Sequence, residues 1–157
     1  MIERAAAAHA AGLDHLGVGD HHSSAVPYYQ NVPMLGRLLA EWSGRPAGAL
    51  FLLPLWHPVL MAEQIGTLAS IHDSTFVVQT GLGGRPGEFA AMGKDLKRRV
   101  GDFEETFRVV DALLAGETVS SERFGIRDAH IAPRPAGRVE GWMGAGVDAG
   151  LARAARL

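Results

Sequence analysis

Two hydrophobic patterns alternate along the chain: short unbroken apolar runs, and longer stretches in which apolar residues return with a period near 3.6. The runs cover residues 13–19, 47–53, 75–80 and, more weakly, 139–143. A few consecutive apolar residues bounded by turn formers read as a strand buried on both faces. Residues 2–11 are alanine-rich, with Ile2, Ala6, His9 and Leu13 at helical spacing and Gly12 as a stop. Asn31 and Pro33 start a second helix that sets Met34, Leu35, Leu38, Leu39 and Trp42 on one face before Gly44. His57-Pro58 opens a third, carrying Val59, Ala62, Ile65, Leu68 and Ala69. Residues 97–115 show the clearest stripe, Val100, Phe103, Phe107, Val110 and Leu114, closed by Gly116. Asp102, Glu104, Glu105, Arg108 and Asp111 fall off that stripe and read as a solvated face. Asp148 caps a last alanine-rich helix running to residue 157.

This alternation predicts β/α units and a parallel sheet, with four strands and five helices. The segment 117–138 lacks periodicity and holds Pro133 and Pro135, so it is an excursion within one domain spanning residues 1–157. Units repeating about every 25–35 residues suit an open doubly wound sheet or part of a (β/α)8 barrel. A whole barrel takes about 250 residues and begins with a strand. In the barrel reading, 157 residues beginning on a helix make an incomplete barrel.

Composition narrows the chemistry. A net charge of −2 leaves no electrostatic footprint for nucleic acid or an anionic membrane. The absence of cysteine excludes disulfides, thiolate metal sites and a cysteine nucleophile. No apolar run approaches the ~20 residues of a membrane span, and Met1 leads into no basic-then-apolar signal, so the expected location is the cytoplasm.

The chemistry-bearing stretch is Val18-Gly19-Asp20-His21-His22, where an apolar run ends abruptly in three ionisable groups. Strand alternation sends Asp20 and His22 one way and His21 the other. In a parallel sheet such a strand end opens onto a site. Asp20, His21 and His22 could in principle serve a metal-dependent hydrolase, but adjacent histidines on opposite faces rarely ligate one ion. Gly81-Leu82-Gly83-Gly84-Arg85-Pro86-Gly87 places Pro86 where a dinucleotide fingerprint needs its third glycine. It reads instead as a glycine-rich turn at a strand's carboxyl end. His9 and His15 read as structural or surface residues, His57 as a helix N-terminal residue, and Trp42 and Trp142 as packing.

In order and spacing, these pieces resemble the bacterial-luciferase-like flavin monooxygenases and their deazaflavin-dependent oxidoreductase relatives. Ala11-Gly12-Leu13-Asp14 leading to Asp20-His21-His22 is similar to the family's second strand and its acidic-His-His end. Leu53 to Val59, then Ala62-Glu63-Gln64 and Leu68, resemble the third strand and its helix. Gly81 to Gly84 with Glu88-Phe89 and Gly93 resemble the turn after strand four. Arg99, Phe103-Glu104-Glu105 and Glu117 to Ser120 resemble the next helix and its exit. Departures are Ile71-His72-Asp73-Ser74-Thr75, in place of the usual Ser-x-Gly-Arg before strand four, and Ser23-Ser24-Ala25, which lacks an aromatic after the histidines.

The resemblance implies a partial (β/α)8 barrel, from helix one through helix five with strands two to five. The first strand would lie before Met1 and the last three beyond Leu157. Two sheet edges would then be exposed, making the chain poorly soluble or obligately paired, as in a homodimer. The implied activity is two-electron oxidoreduction of a small organic substrate. One branch uses reduced FMN and O₂ as a monooxygenase, in some cases served by a separate flavin reductase; the other exchanges hydride with the deazaflavin coenzyme F-420. His21 matches the histidine near the reactive ring and is expected to move a proton or stabilise charge, with Asp20 orienting it or contacting the cofactor and His22 second in line. Ala49 and Leu50 match the position where the family carries a non-proline cis peptide under the flavin, a bond that costs about 3–4 kcal/mol. Gln79, Thr80 and Gly81 are expected to line the cofactor pocket, and Tyr28, Tyr29 and Trp56 read equally as a substrate wall or as ordinary packing near the barrel mouth. A non-catalytic flavin-binding protein is the alternative, since the family includes shortened barrels.

Overall fold

The computed structural model describes residues 1–132, 134–135 and 137–157. Helix α1 (Ile2–Ala10) leads into the parallel strands β1 (Leu16–Val18), β2 (Ala47–Leu52) and β3 (Phe76–Gly81), which are joined through helices α2 (Asn31–Leu38) and α3 (Pro58–Ile71). Then come α4 (Pro86–Ala91), α5 (Arg99–Leu114), an antiparallel pair of β4 (Val119–Ser121) with β5 (Ile126–Ala129), β6 (Val139–Met143) and α6 (Asp148–Ala154). The sheet order is β1-β2-β3-β6, every pairing parallel. No helix among the described residues is long and apolar enough to cross a membrane.

Alternation along the strands divides the sheet into two unlike faces. Ala47, Ala49, Phe51, Phe76 and Val78 join the main core with Met61, Ala62 and Ile65 of α3 and Phe103, Val109, Val110 and Leu113 of α5. On the opposite face lie Gly17, Gly48, Leu50, Leu52, Val77, Gln79 and Gly81, in the register that pairs Gly17 with Gly48 and Leu50 with Gln79. A second, smaller core of Leu52, Leu55 and Phe89, with Leu50 and Leu96 beside it, covers the carboxyl end of this face.

Several elements differ from their sequence pattern for identifiable reasons. β1 spans only three residues, because its pairing to β2 begins at Leu16 opposite Ala47 and leaves Leu13 exposed. The helix α4 was hidden by its short length and by the glycines and Pro86 at its start. The segment 117–138 contains a β-hairpin, although Pro133 lies outside the described residues. The charged side of α5 is not merely solvated: it is where that hairpin and α6 dock. Buried Asp102 accepts from Arg123 Nε at 2.6 Å, Ser121 Oγ donates to Glu105 at 2.5 Å, and Glu104 receives Arg153 and Arg156. Val100, expected on the apolar stripe, is exposed, and Thr106 is buried instead. Trp42 is a core residue, but Trp142 is half-exposed and stacks on His15 at 5.4 Å rather than entering the core.

β2 and β3 approach so closely at Gly48 that a Cβ there would run into the Val77 backbone. Gly48→Ala is therefore expected to destabilise the chain by at least about 1–3 kcal/mol, read as a lowered denaturant midpoint with an unchanged slope. An unshifted midpoint would show that the two strands are free to separate there.

Candidate active site

The site is built where β1 stops short. Its last residue, Val18, pairs with Ala49, whereas β2 continues to Leu52. Backbone groups of β2 beyond Ala49 on that side have lost their strand partner, and a buried unpaired amide costs about 1–3 kcal/mol. Two side chains take over. Asp20 Oδ2 accepts the Leu52 N–H at 2.8 Å, and Asn31 Nδ2 donates to the Leu50 carbonyl at 2.7 Å. Asn31, fully buried at the start of α2, also accepts the Val32 N–H at 2.8 Å. The same Asp20 Oδ2 receives the Trp56 indole N–H at 2.8 Å, so one carboxylate oxygen ties β1, β2 and the turn before α3.

The alternation expected of Asp20, His21 and His22 persists past the end of the strand. His22 Nε2 lies 3.3 Å from Asp20 Oδ1, both buried, with an alignment that falls short of a hydrogen bond. The His22 ring meets Trp56 edge-on at 5.5 Å. His21 turns the other way: its Nδ1 is 3.4 Å from Glu88 Oε1 and its ring meets Tyr28 edge-on at 4.9 Å. Glu88 Oε1 also accepts the His22 backbone N–H at 2.8 Å, and Gln30 Nε2 donates to the His21 carbonyl at 3.1 Å. His21 alone of the four ionisable groups keeps substantial exposure, 35% of its side chain. Contact with the Asp20 carboxylate raises the His22 pKa, burial pulls it down, and Asp20 and Glu88 add attraction at longer range. Burial, then the Asp20 charge, pushes the Tyr28 phenol up.

The remaining expected residues divide between the two faces of the sheet. Leu50, Gln79 and Gly81 are half-buried on the face away from the main core. Ala49 and Thr80 alternate to the helix-packed side, where Ala49 is fully buried and Thr80 donates to the Trp142 carbonyl at 3.1 Å. The cis peptide expected near Ala49-Leu50 is not present; no described peptide bond is cis. Both residues sit in an unbroken ladder to Val78 and Gln79, which keeps the backbone extended. His57 is exposed ahead of α3, and Tyr29 is exposed at 65%. Among the described residues no group of three or more His, Asp or Glu is disposed to hold a metal ion, so the metal-hydrolase alternative finds no ligand set. Sequence reasoning missed Glu88 and Asn31 as site residues. The one available signal was a carboxylate directly after a glycine-rich turn.

A family model described as luciferase-like monooxygenase matches residues 1–157. Limonene 1,2-monooxygenase from Rhodococcus erythropolis is 31% identical over 132 residues, 77% of this chain and 34% of that protein. Among solved structures, an F420-dependent secondary alcohol dehydrogenase in complex with an F420-acetone adduct superposes with a TM-score of 0.77 at 20% identity, over 90% of this chain and 46% of that one. Monooxygenase RslO1 from Streptomyces bottropensis gives 0.69 at 21% identity, over 88% and 45%. The FMN-bound oxygenating constituent of 3,6-diketocamphane monooxygenase from Pseudomonas putida gives 0.68 at 17% identity, over 88% and 44%. The chain thus spans a third to a half of the relatives it matches, and its parallel sheet is part of a (β/α)8 barrel.

Because its folded-state pKa is raised, protonated His22 stabilises the fold. That contribution is complete below the ordinary value of 6.5 and is lost as pH rises through the folded-state value. The unfolding free energy of the native chain minus that of His22→Gln should therefore shrink as pH rises above 6.5. A difference that stays constant or grows would contradict the pairing with Asp20.

Proposed function

The chain belongs to the luciferase-like monooxygenase family, and on that premise we propose that it forms the cofactor-facing part of an oxidoreductase that monooxygenates a small, largely apolar organic substrate with reduced FMN and O₂. The observation that carries this reading is His21. It is a half-exposed imidazole at the carboxyl end of a barrel strand, held by Glu88, Gln30 and Tyr28 while its neighbours Asp20 and His22 are buried in structural contacts. The monooxygenase relative at 31% identity favours oxygenation over hydride exchange.

The residues present suit a flat ring. Gly17, Gly48 and Gly81 carry no side chain on the face opposite the main core, and a Cβ at Gly17 would press on His15 at 3.2 Å, so the His15 ring lies over this face beside the Gln79 amide. Leu50 supplies apolar contact, Gln79 an amide that both donates and accepts, and His21 a titratable edge. The flavin, when bound, supplies the two-electron chemistry. The chain's own residues bind and orient. Phe89 and Leu52 exclude water from the carboxyl end of that face, and His21 holds or releases one proton at its edge. Asp20 acts through its hold on Leu52 and Trp56. A separate flavin reductase, as the source of reduced FMN, and a second copy of the chain, paired along the outer edges of β1 and β6, are the partners this reading calls for.

Fluorescence titration with FMN and with F-420 tests it. Saturable FMN binding is expected, weakened about tenfold in His21→Ala, a loss of about 1.4 kcal/mol. Saturation by F-420 alone would move the chain to the hydride-exchanging branch. Failure of a folded chain to saturate with either cofactor would contradict the reading.

A further inference from the structure

Glu88 stands 67 residues from His21 in sequence and is 6% exposed, yet one of its oxygens reaches two points of the histidine loop. Oε1 accepts the His22 N–H at 2.8 Å and lies 3.4 Å from His21 Nδ1. An ionised carboxylate only accepts, so whatever nitrogen faces it must carry a proton. Which nitrogen of a neutral imidazole is protonated is set by the hydrogen bond its other nitrogen makes. We infer that Glu88 is a positioning residue that holds neutral His21 as its Nδ1–H tautomer, leaving the lone pair on Nε2.

The surroundings keep the ring from escaping this choice. Turning it over would replace Nδ1 with a carbon beside Glu88, leaving that buried oxygen with the His22 amide as its one donor. Tyr28 meets the ring at an interplanar angle of 82°, and Gln30 fixes the backbone behind it. Phe89, the residue after Glu88, is buried in the smaller core and keeps the carboxylate in place. With the proton on Nδ1, the Nε2 lone pair is left able to accept one proton. The resulting imidazolium carries both protons, and Glu88 balances its charge. The functional meaning rests on His21 being the proton-transfer group proposed above; the tautomer itself does not.

Two-bond ¹H–¹⁵N correlation on histidine-labelled protein without cofactor, at a pH where His21 is neutral, tests the inference, with His21→Gln assigning the resonance. Native His21 should show a pyrrole-type Nδ1 and a pyridine-type Nε2. Glu88→Gln, which keeps a carbonyl oxygen at the same reach, should retain that pattern, and Glu88→Ala should shift it toward Nε2–H. A native Nε2–H tautomer would overturn the inference whatever the variants do. So would an unchanged pattern in Glu88→Ala with native circular dichroism. Failure to bind FMN, in contrast, leaves these resonances untouched and bears only on the proposed function.

Discussion

One unpaired amide organises the candidate site. β2 outruns β1 by three residues, and the Leu52 N–H would be buried without a partner had the chain after Val18 continued as an ordinary loop. A neutral acceptor would satisfy it; a carboxylate does so with a stronger, charge-assisted bond and has capacity for a second donor, which Trp56 fills. Burying that negative charge then creates its own demand, met by His22 at 3.3 Å. From one missing strand contact follow an aspartate, an indole and a histidine locked together, with His21 facing the opposite way. Asn31 repeats the device one step earlier by capping Leu50, which fixes where α2 begins.

Much of this was legible in sequence because the features involved are local. Unbroken apolar runs marked β2 and β3 to within a residue, since strands buried on both faces need no polar alternation. The Asp-His-His end of β1 stood out because ionisable groups directly after apolar ones signal a change of environment. Asp20 and His22 sharing a side followed from the period of two. Glu88 was not legible: its contacts lie 66 and 67 residues away, and a carboxylate in the first turn of a helix is equally at home in water. The charged flank of α5 misled for the same reason. Asp102 and Glu105 have the spacing of a solvated face, and their partners Arg123 and Ser121 come from a hairpin too short to show periodicity. The cis peptide expected near Ala49 came from family resemblance, and the continuous β2–β3 ladder leaves no place for it.

The relation between the two faces of the sheet carries the functional reading. The helix side joins the main core with α3 and α5; glycines, Leu50, Leu52, Val77 and Gln79 lie on the other, and α4 brings Phe89 over its carboxyl end while Glu88 reaches back to the histidines. One short helix therefore both closes the face and positions the residue expected to handle protons. A barrel family accommodates many reactions because such loop-borne groups vary while the sheet persists.

The central claim, that Asp20 replaces the missing strand partner of Leu52, is tested most directly by residue-resolved hydrogen exchange. In Asp20→Ala the account predicts faster exchange at the Leu52 amide and the Trp56 indole, with amides of the β2–β3 ladder below Leu52 keeping their native protection. A folded Asp20→Ala chain in which the Leu52 amide exchanges as slowly as in the native chain would contradict it.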